Sequence, residues 1–113
     1  MQIEVKGRNC PVTDELRERV ERRFDKVAKQ VSDLARMELE VYEERNPSIA
    51  ECHVAEATLY LKGITLRAKE ATRDMDHSIN LVSEEVARQV KRHREKRRKR
   101  REARGQSGVQ PAL

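Results

Sequence analysis

Apolar residues recur along this chain with two different periods, and the order of those periods limits the architecture more than any single motif. Ile3 and Val5 alternate with Gln2, Glu4 and Lys6; Met37, Leu39 and Val41 alternate with Glu38, Glu40 and Tyr42. Ala55, Ala57, Leu59 and Leu61 alternate with Glu56, Thr58 and Tyr60. A period of two is that of a strand with one buried face. Leu16, Val20, Phe24, Val27 and Val31 instead follow at spacings of 4, 4, 3 and 4, and Met75, Ile79, Val82, Val86 and Val90 at 4, 3, 4 and 4. Those spacings keep each set on one face of a helix.

Local punctuation agrees with the periods. Gly7 ends the first strand and Pro11 breaks the chain. Thr13 is a good N-cap ahead of Asp14 and Glu15, whose charges suit a helix N-terminus, so a helix is predicted from residue 14 to about 30. The second strand starts near Ala35 and ends near the turn Asn46-Pro47-Ser48. A third spans residues 52 to 61, and Lys62-Gly63 reverses it into Ile64, Leu66 and Ala68 as an antiparallel hairpin. Asp74 caps the last helix. The expected fold is α+β, in the order β-α-β-β-β-α: a four-stranded sheet with two helices packed on one face, the last helix extended and basic.

At 113 residues there is room for one such domain. It is expected over residues 1–104, with 105–113 a flexible tail or the start of a linker, because Gly105-Gln-Ser-Gly-Val-Gln-Pro-Ala-Leu is polar, uncharged and contains Gly and Pro. No run of 18 apolar residues exists, and the N-terminus alternates where a signal peptide would be continuously apolar. A cytoplasmic protein with no membrane partner is expected. Cys10 and Cys52 belong to no CxxC or metal-ligand spacing. His53, His77 and His93 are scattered, and Cys52 and His53, as neighbours on a strand, are expected to point to opposite faces. With no glycine-rich phosphate loop either, no catalytic residue, metal, cofactor or small-molecule substrate is expected.

Charge is where the sequence points to a partner. Residues 88 to 104 hold eleven bases and two acids, a net of +9, whereas the first 87 residues hold 14 bases and 18 acids, a net of −4. The stripe of the last helix stops at Val90, and the same face continues as His93, Arg97, Arg100 and Arg101, which no core accepts. That helix is expected to project beyond its domain or to fray, with Arg88, Arg92, Lys96 and Lys99 following one another along one side. On the first helix Arg19, Arg22, Arg23, Lys26 and Lys29 fall on one flank, while Asp14, Glu18, Glu21 and Asp25 collect opposite. A solvated helix laced by i,i+4 pairs and a disordered basic tail are the plainer readings of these two patterns. A basic run in phase with an amphipathic helix favours binding of a polyanion. With Phe24, Tyr42 and Tyr60 the only aromatic residues, phosphate and sugar contacts to structured RNA are expected rather than base stacking.

The segments Ile3-Glu4-Val5-Lys6-Gly7-Arg8-Asn9, Val12-Thr13, Arg23-Phe24-Asp25-Lys26-Val27, Asp74-Met75, Ile79-Asn80 and Arg88-Gln89-Val90 carry a resemblance in order and spacing over nearly the whole chain. The sequence resembles the hibernation promoting factor, ribosome-associated inhibitor and sigma-54 modulation protein family. The resemblance implies a domain that lies in the mRNA and tRNA channel of the small ribosomal subunit, contacts its ribosomal RNA, blocks initiation and preserves idle ribosomes; this chain is expected to be a monomer. By position it implies RNA contacts for Arg23, Lys26 and Lys29 on the first helix and for Arg88, Arg92 and Lys96 on the last. Arg22, Lys91, Arg94 and Lys99 join them from the charge pattern. Where the family commonly has Tyr, this chain has Asp76. A general double-stranded RNA binder, or a protein-interaction module acting on transcription, is the alternative.

Overall fold

A computed structural model describes residues 1–45 and 50–109, with side chains through residue 103. The expected Asn46-Pro47-Ser48 turn lies outside the described residues, as does 110–113 of the expected tail. The elements are β1 (Gln2–Arg8), α1 (Asp14–Arg23), α2 (Asp25–Ala28), β2 (Arg36–Glu43), β3 (His53–Leu61), β4 (Ile64–Thr72) and α3 (Met75–Val109). The four strands form one sheet in the order β1-β2-β3-β4, with β1 parallel to β2 and the remaining pairs antiparallel.

The register follows from the alternation. Ile3 pairs with Met37 and Val5 with Leu39, Leu39 with Ala57, and Ala57 with Ala68, so all the apolar sets share one face. That face joins Leu16, Val20, Phe24 and Val27 and the α3 stripe in a single core. α3 lies over β3 and β4, where the small buried residues Ala55, Ala57 and Ala68 let it approach the sheet. Gln89 Nε2 donates to the Arg67 carbonyl at 2.8 Å and ties the helix to β4. Gly63, at φ +81, makes the β3–β4 reversal, a conformation that costs glycine least.

Gly7 is required for another reason. The chain folds back after β1 through Asn9, at φ 56, so closely that a Cβ on Gly7 would meet the Cys10 carbonyl oxygen at 2.1 Å. β1 continues through Gly7 to Arg8 instead of ending there.

Two elements depart from the sequence reading. The helix expected from 14 to about 30 begins as read, with Thr13 Oγ1 accepting from the Leu16 amide at 3.1 Å, but it loosens at Phe24 (φ −97, ψ 6) and ends at Ala28. Phe24 is fully buried, and its carbonyl accepts from both Val27 and Ala28, so the helix re-forms one residue later around a ring held in the core. α3 also runs past the expected boundary at Arg104 to Val109. Once nucleated, a helix gains a backbone hydrogen bond for each residue added, and no Pro interrupts this one before position 111.

Candidate nucleic-acid interface

α3 has 35 residues, which at about 1.5 Å each gives about 52 Å of helix. Its last buried residue is Val90, and from Lys91 to Ala103 every side chain except half-buried His93 is exposed. The principal extents of 69 × 29 × 18 Å reflect a helix that leaves the body. The projection expected from the end of the apolar stripe is thus present.

The ten basic candidates do not form one patch. Asp76 in the first turn of α3 faces α1, 3.5 Å from Arg19 Nε and 3.8 Å from Arg23 Nη2. Arg94 stands 18 residues further on, about five full turns, and so on the same line of the helix, with Lys91 and Arg98 beside it. Lys91, Arg94 and Arg98 line a shallow groove together with Glu95, Arg97 and Arg101. Across the helix, Arg92 and Lys96 line a second recess against Ile64 and Leu66 of the sheet, with Gln89 and His93 between. One row prolongs the α1 side of the molecule and the other prolongs the β4 side.

Several candidates are already engaged. Arg88 donates to Glu85 Oε2 through Nε at 2.9 Å and Nη2 at 2.7 Å, and Arg92 Nη2 lies 3.6 Å from Glu85 Oε1. The Arg88 hydrogen bond, followed by that of Gln89, holds the Glu85 carboxyl below the usual carboxylate range. Lys29 Nζ pairs with Asp25 at 2.9 Å, which raises the lysine's pKa. Arg23 shares Asp76 with Arg19. Arg22 lines both a recess formed with Arg19, Arg23 and Asp76 and an acidic cleft of Glu18, Glu21 and Asp25. Among the described residues, Arg22, Lys26, Lys91, Arg94, Lys96 and Lys99 make no ion pair.

Of the i,i+4 pairs that the spacing offers, Asp25–Lys29 and Arg98–Glu102, at 3.8 Å, form. The Glu85 clasp and the Asp76 link were missed. The first was legible as an i,i+3 spacing; the second joins residues 53 and 57 positions apart, and no local pattern signals it.

The open sheet face is not a stacking platform. Arg8 covers the Tyr42 ring at 4.3 Å and Arg36 the Tyr60 ring at 4.6 Å, while the Tyr60 hydroxyl donates to Glu38 at 3.4 Å. Both tyrosines thus have a guanidinium on the face a base would use, and the surrounding strand residues carry both signs of charge.

Cys52 and His53 do not point apart as the sequence suggested. β3 begins at His53, so Cys52 lies just outside the strand and escapes its alternation. The donor atoms of Glu43, Cys52 and His53 all fall within 4.8 Å of one another.

The sequence profile of the family described as Sigma 54 modulation protein / S30EA ribosomal protein matches residues 3–98. A "Ribosome hibernation promotion factor" of Picosynechococcus sp. is 32% identical over 97 residues, covering 85% of this chain and 50% of that protein. One of Lactococcus lactis is 33% identical over 98 residues, covering 83% and 50%. The chain thus spans about half the length of these curated relatives. The crystal structure of the Thermus thermophilus Protein Y N-terminal domain superposes with a TM-score of 0.70 at 24% identity, covering 82% of this chain and 99% of that one, which establishes the shared fold.

Proposed function

The chain belongs to the Sigma 54 modulation protein / S30EA ribosomal protein family, and on that premise we propose that it is a ribosome hibernation factor acting without catalysis in the cytoplasm. It binds the small ribosomal subunit in the channel used by mRNA and tRNA, inhibits translation and preserves idle ribosomes.

One observation carries this reading: α3 leaves the body at Val90 as an ordered helix bearing basic rows on two sides. An amphipathic helix closes its own core with its first four turns. Through Ala103 the continuation adds no residue to the core and concentrates positive charge where a polyanion can neutralise it. Rows on opposite sides of one helix suit a narrow channel walled by RNA on both sides better than a single duplex groove. Contacts of this kind read backbone shape, because lysine and arginine grip phosphates without distinguishing bases. Bound α3 fills the path of the messenger, so inhibition follows from occupancy alone.

The test is co-sedimentation of the chain with small subunits, with and without a messenger and initiator tRNA. Competition by these ligands, and a roughly tenfold to thousandfold fall in affinity on a few-fold rise in salt, are the expected results. Competition by a plain RNA duplex as effective as that by intact subunits would instead favour a general double-stranded RNA binder.

A further inference from the structure

We propose that Glu43, Cys52 and His53 form a binding site for a divalent metal ion of the zinc class, at the end of the β2–β3 hairpin and independent of the RNA-binding surface. A thiol, an imidazole and a carboxylate are the donor types that zinc takes, and three protein ligands leave a fourth position for water. Two ligands about 2.1 to 2.3 Å from a tetrahedral ion stand about 3.4 to 3.8 Å apart. The three donor atoms here lie within 4.8 Å of one another, so closure needs side-chain shifts of about 1 Å and no movement of the strands.

The backbone explains why the three converge. Glu43 and His53 are directly paired across β2 and β3, which puts their side chains on the same face. The next link, from the Glu44 amide to the Cys52 carbonyl at 2.8 Å, holds Cys52 against the opposite strand end, although it lies outside the β3 ladder. Ser78 Oγ of α3, fully buried, donates to the His53 carbonyl at 2.6 Å and fixes the histidine backbone from below. Glu43 is exposed and Cys52 and His53 half-buried, which leaves an entry path. An ion bound here bridges the two strand ends that flank residues 44–51, and the thiol releases its proton to solvent as the metal–sulfur bond forms.

Cobalt(II) titrated into the reduced chain is the direct probe, since a thiolate ligand gives a near-ultraviolet charge-transfer band. The expected result is one equivalent bound with that band, displaced by zinc. The band is lost in Cys52→Ser and kept in Cys10→Ser, and zinc affinity falls at least tenfold in Glu43→Gln and His53→Gln. Zinc should also raise the thermal midpoint of the wild-type chain and leave that of Cys52→Ser unchanged. Glu43 is exposed, so its variant keeps the fold, as circular dichroism should verify. A band absent from the wild type, one surviving Cys52→Ser, binding only at millimolar cobalt, or unchanged zinc affinity in Glu43→Gln would each overturn the proposal.

Discussion

Asp76 Oδ2 on α3 lies 3.8 Å from Arg23 Nη2 on α1, and the same carboxylate approaches Arg19 through an Oδ1 atom that is buried and makes no hydrogen bond. A single acid is thus shared by two guanidiniums on the basic flank of α1. Being in the first turn of α3, Asp76 also complements the helix dipole.

Asp76→Asn should therefore tighten binding to small-subunit RNA by roughly threefold to tenfold and steepen its salt dependence, by about one unit of slope for each arginine freed onto a phosphate. Stability should fall by about 1 kcal/mol or less, because the pair is more than a third exposed and not hydrogen-bonded at Oδ1. Filter binding across a salt series reads both quantities. Weaker binding would mean that Asp76 positions the arginines and does not compete for them.

The two basic rows of α3 should differ in their effect. Arg88 and Arg92 must leave Glu85 before they can serve a phosphate, whereas Lys91 and Arg94 are unpaired among the described residues. Lys91→Ala with Arg94→Ala should weaken co-sedimentation with small subunits more than Arg88→Ala with Arg92→Ala, both pairs leaving circular dichroism unchanged.

Glu85 gives a pH dependence with a definite sign. Its folded pKa is lowered by Arg88, so the clasp contributes stability above the unfolded value of about 4.3 and loses it as pH falls through the lower folded value. The stability difference between wild type and Glu85→Gln should be constant near neutrality and shrink below about pH 4. Thermal melts between pH 7 and 3 measure it.

Phe24→Ala should destabilise the domain by about 3–5 kcal/mol, since the ring is fully buried in the core that the sheet and helices share. Gly7→Ala should also lower the thermal midpoint, because the new Cβ meets a backbone oxygen that can move only with the turn at Asn9. Both are read by circular dichroism, as the chain has no tryptophan.

Much of the fold was legible because burial imposes a period. Met37, Leu39 and Val41 can face the core only as a strand, and Ile79, Val82, Val86 and Val90 only as a helix, so element order and the buried set follow from spacing. The loosening at Phe24 was not legible, since the apolar spacing runs through it unbroken. The candidate interface divides in the same way. That α3 outruns its core at Val90 is written in the stripe, but the pairing of Arg88 and Arg92 with Glu85, and of Arg23 with Asp76, depends on rotamers and on how one helix lies against another.

By itself the sequence determined the order of elements, the face each one buries, the family to which the chain is similar and the separation of an acidic-leaning body from a basic arm. Each of these is a property of residues near one another along the chain, where a fixed helical or strand repeat converts spacing into direction. The tertiary structure alone decided which bases of the first helix stay free and that Glu43 meets Cys52 and His53. Those outcomes depend on distances between segments remote in sequence or on a side chain just outside a regular strand, and no local period encodes either.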